Sequence, residues 1–207
     1  MSLTRRTFIK NSALAVAALS TGAMGGGAFA ADSGKTLVVF FSHTGENYNV
    51  GVIEKGNTAI IAEMIMEKTG AAGFELKPAR PYPKTYKACT DAAKKELNER
   101  ARPEYAGGVE NLAGYERVFI GAPVWWADWP MIVYTFLENN DLSGKTLIPF
   151  CTHEGSGLSG FGAKLSAAVT GAKVLDGLAV TGRVAQKDRE AADKAVTVWL
   201  QGLGKSS

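Results

Sequence analysis

The sequence predicts an α/β domain in which a parallel five-stranded sheet is wound with helices on both faces. Three observations carry this expectation: short continuous apolar runs recur along the chain, stretches of helical period separate them, and the connections are mostly short. The composition agrees. With 207 residues, 46% hydrophobic and 21% charged, the chain has room for one domain with a sizeable core, which excludes collagen-like, disordered and disulfide-framework classes.

Lys35 to Phe41 (KTLVVFF) is apolar without alternation, as expected of a central parallel strand buried on both faces. A loop follows, then a helix over Thr58–Lys68, where Ile60/Ile61 and Met64/Ile65 recur at the i, i+4 spacing of a core-facing stripe. Phe74–Lys77 reads as a short second strand and Tyr86–Arg100 as a second helix. Arg117–Gly121 (RVFIG) is the third strand, and Pro130 starts a helix over Met131–Glu138 from its favoured early position. Lys145–Cys151 is the fourth strand, followed by a helix from about Gly160 to Val169. Lys173–Val180 supplies the last strand. A helix over Asp188–Leu203 closes the chain, with Ala192, Val196, Trp199 and Leu203 on one face. Right-handed crossovers leave few topologies for such a chain, and 2-1-3-4-5 is the common order. Ligands of these sheets bind beyond the carboxyl ends of the strands, so the loops after strands one, three and four are the expected site.

The first thirty residues read as an address rather than as part of the fold. Thr4-Arg5-Arg6-Thr7-Phe8-Ile9-Lys10 sets a twin arginine in a basic start, an Ala-rich apolar run spans Ala13–Ala23, and Ala28-Phe29-Ala30 offers a small-x-small cleavage site. This looks like a twin-arginine (Tat) export signal, with a mature domain over residues 31–207 and a periplasmic or other extracytoplasmic destination. The run is too short for a spanning helix of roughly 20 residues, so no stable membrane insertion is expected after cleavage. That route carries folded proteins and is commonly used when a cofactor is inserted beforehand. The formal charge of +3 comes from Arg5, Arg6 and Lys10, the only charges before Asp32, so the remainder is balanced and gives no support to a nucleic-acid partner. Cys89 lies in phase with Tyr86, Ala93 and Leu97 on an apolar helix face while Cys151 ends a strand, which reads as two separate buried thiols.

Three loops hold the unusual residues. The first reads Ser42-His43-Thr44-Gly45, makes an excursion, and returns at Gly56-Asn57-Thr58 at the mouth of the first helix. Hydroxyls beside the free N–H groups of a helix start suit a phosphate, and Asn and Thr are also ordinary caps. The second, Gly121–Pro130, packs three of the four tryptophans, Trp125, Trp126 and Trp129, into five positions, an arrangement suited to stacking a flat ligand. Trp129 and one of the others are expected in a small satellite core beneath the loop. The third, Thr152-His153-Glu154-Gly155-Ser156-Gly157, is built of small residues whose backbone a ligand can approach, or forms a plain turn. Other chemistries fit poorly. Gly51–Thr58 nearly has the spacing of a nucleotide-triphosphate loop but places Asn57 where its lysine belongs. Glu154 and Phe161 stand where the glycines of a hydrolase elbow would be needed, and His43 and His153 have no further metal ligands at usable spacing.

Together these loops resemble those of the flavodoxins, most closely a bacterial flavodoxin-like group with a Trp-Trp loop, over essentially all of the mature chain. The family's phosphate loop runs Ser/Thr-x-Thr-Gly-x-Thr straight into the first helix, and omitting Glu46–Gly56 leaves Ser42-His43-Thr44-Gly45-Asn57-Thr58. The last strand lacks the insertion of long-chain members, so the chain resembles the short-chain type. The resemblance implies a flavodoxin-like doubly wound five-stranded parallel sheet and flavin mononucleotide (FMN) as cofactor. It places the phosphate on Ser42, Thr44, Gly45, Asn57 and Thr58 without a full positive charge, and the ring beside Pro123, Val124, Trp125 and Trp126. Thr152, His153, Gly155, Ser156 and Gly157 would close the other side.

The function so implied is electron transfer to or from a redox partner protein or a small-molecule donor or acceptor, with a carrier favoured over a turnover enzyme. Two alternatives stay open: an FMN-dependent NAD(P)H or quinone oxidoreductase, and a non-catalytic extracytoplasmic binding module on the same fold. The insertion between Gly45 and Gly56, with Asn47, Tyr48, Val50, Val52 and Ile53, could cover the phosphate or ribityl chain or form a partner surface.

Overall fold

A computed structural model describes residues 35–204; the expected export signal over residues 1–30 lies outside the described residues. In chain order, β1 (Thr36–Phe40) is followed by β2 (Gly45–Asn47), β3 (Gly51–Ile53), α1 (Asn57–Thr69), β4 (Ala72–Glu75), β5 (Lys77–Pro78), α2 (Tyr86–Glu99) and β6 (Tyr105–Ala106). Then come a 3-10 turn at Leu112–Gly114, β7 (Arg117–Pro123), α3 (Met131–Asn139), β8 (Thr146–His153), α4 (Phe161–Ala168), β9 (Lys173–Val174), β10 (Leu178–Thr181), α5 (Gly182–Lys187) and α6 (Arg189–Leu203).

The central sheet runs β4-β1-β7-β8-β10 with every neighbour parallel, which is the order 2-1-3-4-5 expected of its main strands. Successive side chains point to opposite faces, so each apolar run feeds two cores. Leu37, Val39, Val118, Ile120 and Leu147 pack with Ile132, Val133, Phe136, Phe161 and Leu165 of α3 and α4. On the other face Val38, Phe40, Phe119, Ile148 and Phe150 pack with Ile61 and Ile65 of α1 and with Val196 and Leu200 of α6. Cys89 and Cys151 are both buried and unpaired.

The structure adds to the elements read from the sequence a short helix, α5, and an antiparallel pair, β5 with β6, and differs at two further places. The last strand, read from the sequence as continuous over Lys173–Val180, is broken into β9 and β10, both paired with β8. The break runs alongside Pro149 of β8, which has no N–H to give to a ladder, and Gly177 sits where a Cβ would lie 2.8 Å from the Pro149 carbonyl oxygen. The excursion after Gly45 is a small antiparallel hairpin, β2 with β3, turning through Asn49 at φ +60°. Asn tolerates that left-handed conformation better than most residues.

The sheet order reverses between β1 and β7, so the loops leaving these strands part and open a cleft at their carboxyl ends. The backbone there is tight. A Cβ on Gly121, the residue of β7 level with Phe40 of β1, would lie 2.0 Å from the Phe150 ring. Gly121→Ala is therefore expected to cost roughly 1–3 kcal/mol by overpacking, read as a lowered urea midpoint. Adding Phe150→Leu to that variant should restore part of the loss.

Candidate functional site

Beyond the carboxyl ends of β1, β7 and β8 lies a cavity of about 300 Å³, at the lower end of small-molecule sites. The loop after β1 contributes His43, the hairpin Glu46, Asn47 and Tyr48, and the start of α1 Asn57. The loop after β7 contributes Pro123–Ala127, β8 and its loop Thr152, His153, Glu154 and Ser156, and α2 closes the wall with Tyr86, Cys89, Thr90 and Ala93.

The two halves of the hydroxyl loop meet despite the hairpin between them. Gly56 comes so close to the first half that a Cβ would lie 2.2 Å from Ser42 Oγ and 2.6 Å from the His43 carbonyl oxygen. The Ala59 N–H in the first turn of α1 donates to Ser42 Oγ at 3.0 Å. Thr58 and Thr152 join their hydroxyls at 2.8 Å, tying the helix start to the end of β8. Lys84, from the segment before α2, donates to Thr44 Oγ1. The loop is thus not free of charge: the sequence offered no sign that Lys84, forty positions away, reaches it. Ser42 and Thr44 each accept one bond through the side-chain oxygen and keep a hydroxyl hydrogen to donate.

His43, between those hydroxyls, is 8% exposed, and its Nε2 has no hydrogen-bond partner. Burial first, then the nearby Lys84 charge, lowers its pKa from the ordinary 6.5 to about 4. The imidazole is therefore neutral at physiological pH, and its Nε2, itself buried, is left without a partner beside the cavity.

The tryptophan loop divides its indoles. Trp129 is buried and stacked on Phe161 at 3.5 Å, while Trp125 packs edge-on against Phe41, Tyr82 and His43. Trp126 is 49% exposed, with its Nε1–H donating to the Thr90 carbonyl at 3.0 Å. Trp125 and Asp128 exchange two backbone hydrogen bonds of 3.0 Å around a two-residue turn, whose central residues Trp126 and Ala127 have φ of +53° and +57°. Neither is glycine, so the turn stores about 1–2 kcal/mol of strain per residue. Lys164 of α4 holds it, donating to the Ala127 carbonyl at 2.5 Å and pairing with Asp128 at 3.1 Å.

His153 organises the third loop. Its Nδ1 accepts from the N–H groups of Gly155, at 3.0 Å, and Gly157, at 3.1 Å, so that nitrogen carries no proton, and burial lowers the pKa against the opposing pull of Glu154. Glu154 accepts from Arg183 N–H at 3.2 Å and from Asn49 Nδ2 at 3.4 Å, which ties this loop both to α5 and to the hairpin tip. At its other side the hairpin is moored to α2. Glu46 N–H donates to the Lys84 carbonyl at 2.7 Å, Tyr86 N–H donates to Glu46 Oε2 at 2.8 Å, and Tyr48 stacks on Tyr86.

Of the residues singled out in the sequence, Asn57, Pro123, Val124, Trp125, Trp126, Thr152, His153 and Ser156 line the cavity. Ser42, Thr44, Gly45 and Thr58 form the framework beside it rather than its wall, as do Gly155 and Gly157. Sequence reasoning weighed His43 only as a metal or hydrolase residue, and missed Glu46, Ala127, Glu154 and the α2 stripe at Tyr86, Cys89, Thr90 and Ala93. That i, i+3, i+4, i+7 spacing was legible, but a face that lines a cavity has the same pattern as one that lines a core.

A family model described as Flavodoxin matches residues 35–196. Among solved structures, the chain is similar to a protein of Bacteroides eggerthii designated a flavoprotein, with 29% identity over 82% of this chain and 97% of that one and a TM-score of 0.65. A protein of Bacteroides uniformis with the same designation shares 28% identity over 79% and 98% of the two chains, with a TM-score of 0.64. A Lactobacillus acidophilus flavoprotein solved in complex with FMN has the same fold at 20% identity, covering 71% of this chain and 93% of that one, with a TM-score of 0.56. No curated protein matches the chain.

The depressed His43 pKa has a measurable consequence. Between about 6.5 and about 4 the unfolded chain binds a proton at this position that the folded chain refuses, so its contribution to stability is complete above pH 6.5 and declines as pH falls. Between pH 7.5 and pH 5 the expected loss is about 2 kcal/mol. Urea unfolding at the two pH values should show a smaller difference for His43→Gln than for the parent; equal differences would remove His43 from the account.

Proposed function

Because the chain belongs to the flavodoxin family, we propose that it is an FMN-binding electron-transfer protein. The observation that carries this reading is the orphaned, neutral His43 on a cavity flanked by a hydroxyl loop on one side and a strained indole turn on the other. The donor set suits the cofactor. Ser42 and Thr44 hold the phosphate through their remaining hydroxyl hydrogens, Gly45 contributes backbone from the loop itself, and Asn57 and Thr58 contribute backbone at the helix start, where the dipole favours an anion. Pro123, Val124, Trp125 and Trp126 flank the ring, and Thr152–Gly157 close the far side. When bound, FMN supplies the one- or two-electron redox chemistry, while the chain binds it, orients it and excludes water.

The walls favour a carrier over an enzyme that takes electrons from a nicotinamide dinucleotide. The charged side chains on the cavity wall are the carboxylates Glu46 and Glu154, which would repel that donor's pyrophosphate. Purified protein should take up one FMN per chain with quenching of flavin fluorescence, and free NAD(P)H should reduce the loaded protein only slowly. Absence of uptake would discard the reading in favour of a binding module with another ligand. Trp126→Ala should shift the midpoint potential of the loaded protein, since Trp126 is the indole that stays exposed at the mouth.

The proposal includes export by the twin-arginine route, with residues 1–30 as the signal and a periplasmic or other extracytoplasmic site of action. The Arg5-Arg6 pair, the Ala-rich run and Ala28-Phe29-Ala30 support it. In a bacterial host with that machinery, the chain should be recovered outside the cytoplasm, and replacing both Arg5 and Arg6 with Lys should retain it inside. Equal recovery of the two forms would refute the signal.

A further inference from the structure

We propose that Lys84 supplies a positive charge to the cofactor's phosphate, so that this site grips a phosphomonoester with an ammonium as well as with hydroxyl and backbone donors. The inference rests on the FMN reading above and changes its electrostatics, since the loop's own sequence carries no cation.

Lys84 is delivered to the loop by backbone contacts. The Glu46 N–H donates to its carbonyl at 2.7 Å, and Gly45, at φ +104°, lies so close that a Cβ would be 2.6 Å from that same oxygen. Its ammonium then donates to Thr44 Oγ1. An ammonium has three hydrogens to give, and Thr44 takes one. Among the described residues no carboxylate stands within ion-pair distance of it; Glu46, whose N–H meets the Lys84 carbonyl, spends Oε2 on the Tyr86 N–H.

A second observation bears on the same loop. His43 adjoins Thr44, is 8% exposed, lines the cavity, and has an Nε2 without a partner. The Lys84 charge is felt there as well, where it adds to burial in holding the imidazole neutral. The loop thus combines a cation with no counter-ion among the described residues, two hydroxyls with hydrogens to donate, and a helix start. A dianionic phosphomonoester satisfies all three, and charge-assisted bonds are about twice as strong as neutral ones.

The test compares FMN with riboflavin, which carries the same ring without the phosphate. Dissociation constants of both are measured by fluorescence quenching, at low and high salt, for the full chain and for Lys84→Gln and Lys84→Arg. Lys84 is exposed, so these variants should fold, which circular dichroism checks. The expected result is that Lys84→Gln weakens FMN by about tenfold or more and flattens its salt dependence. Riboflavin should stay within about twofold, and Lys84→Arg should keep most of the FMN affinity. FMN affinity unchanged in Lys84→Gln would overturn the inference. Equal weakening of both flavins would also overturn it, by making Lys84 an anchor for the hairpin. A parent chain that takes up neither flavin would overturn the FMN reading itself.

Discussion

The arrangement depends on one close approach, that of Gly56 to Ser42 and His43. With Ser42 Oγ and the His43 carbonyl within 2.2 and 2.6 Å of where a Cβ would stand, only glycine lets the chain return from the hairpin to the point it left. The return allows Ser42 Oγ to meet the Ala59 N–H and sets the first turn of α1 beside Thr44. Gly45, at the other end of the excursion, is pressed against Lys84 in the same way. The insertion is therefore pinched at both ends by backbone contacts that exclude a side chain. The two halves of the hydroxyl loop are thereby brought together, with the hairpin standing out between them.

The other two loops are held by side chains whose polar atoms are committed to backbone. His153 accepts from two N–H groups of its own loop, and Lys164 donates to the carbonyl of Ala127. The second case shows why strain persists there. A turn with Trp126 and Ala127 at positive φ is unfavourable alone, but Lys164 is anchored in α4 and Asp128 also accepts from Trp129 N–H and Tyr134. Relaxing the turn would break those contacts together. The outcome is one indole held at the cavity mouth while its neighbours pack inward.

The sheet and its order were legible because a doubly wound fold writes its strands as unbroken apolar runs, such as Leu37–Phe41 and Val118–Ile120, and its helices as stripes. Much of the site was legible too, because the loops after β1, β7 and β8 are where such a sheet places a ligand. What escaped depends on contacts distant in sequence. Lys84 is an ordinary lysine until the hairpin carries Gly45 to it, and Tyr86, Cys89 and Ala93 look like core positions until the cavity is known to end there. The break between β9 and β10 follows from Pro149 on the neighbouring strand, which no window along Lys173–Val180 contains.

The hairpin differs physically from the loops it joins. Its tip reaches Glu154 through one 3.4 Å bond from Asn49, and its flank rests on α2 through Tyr48 and Glu46, all at exposed positions. Val52 is 81% exposed, so the hairpin adds nothing to either core. Segments with few buried contacts open at low free energy while the sheet stays intact. The cavity is thus bounded by rigid loops on the sheet side and by a weakly held hairpin on the outside.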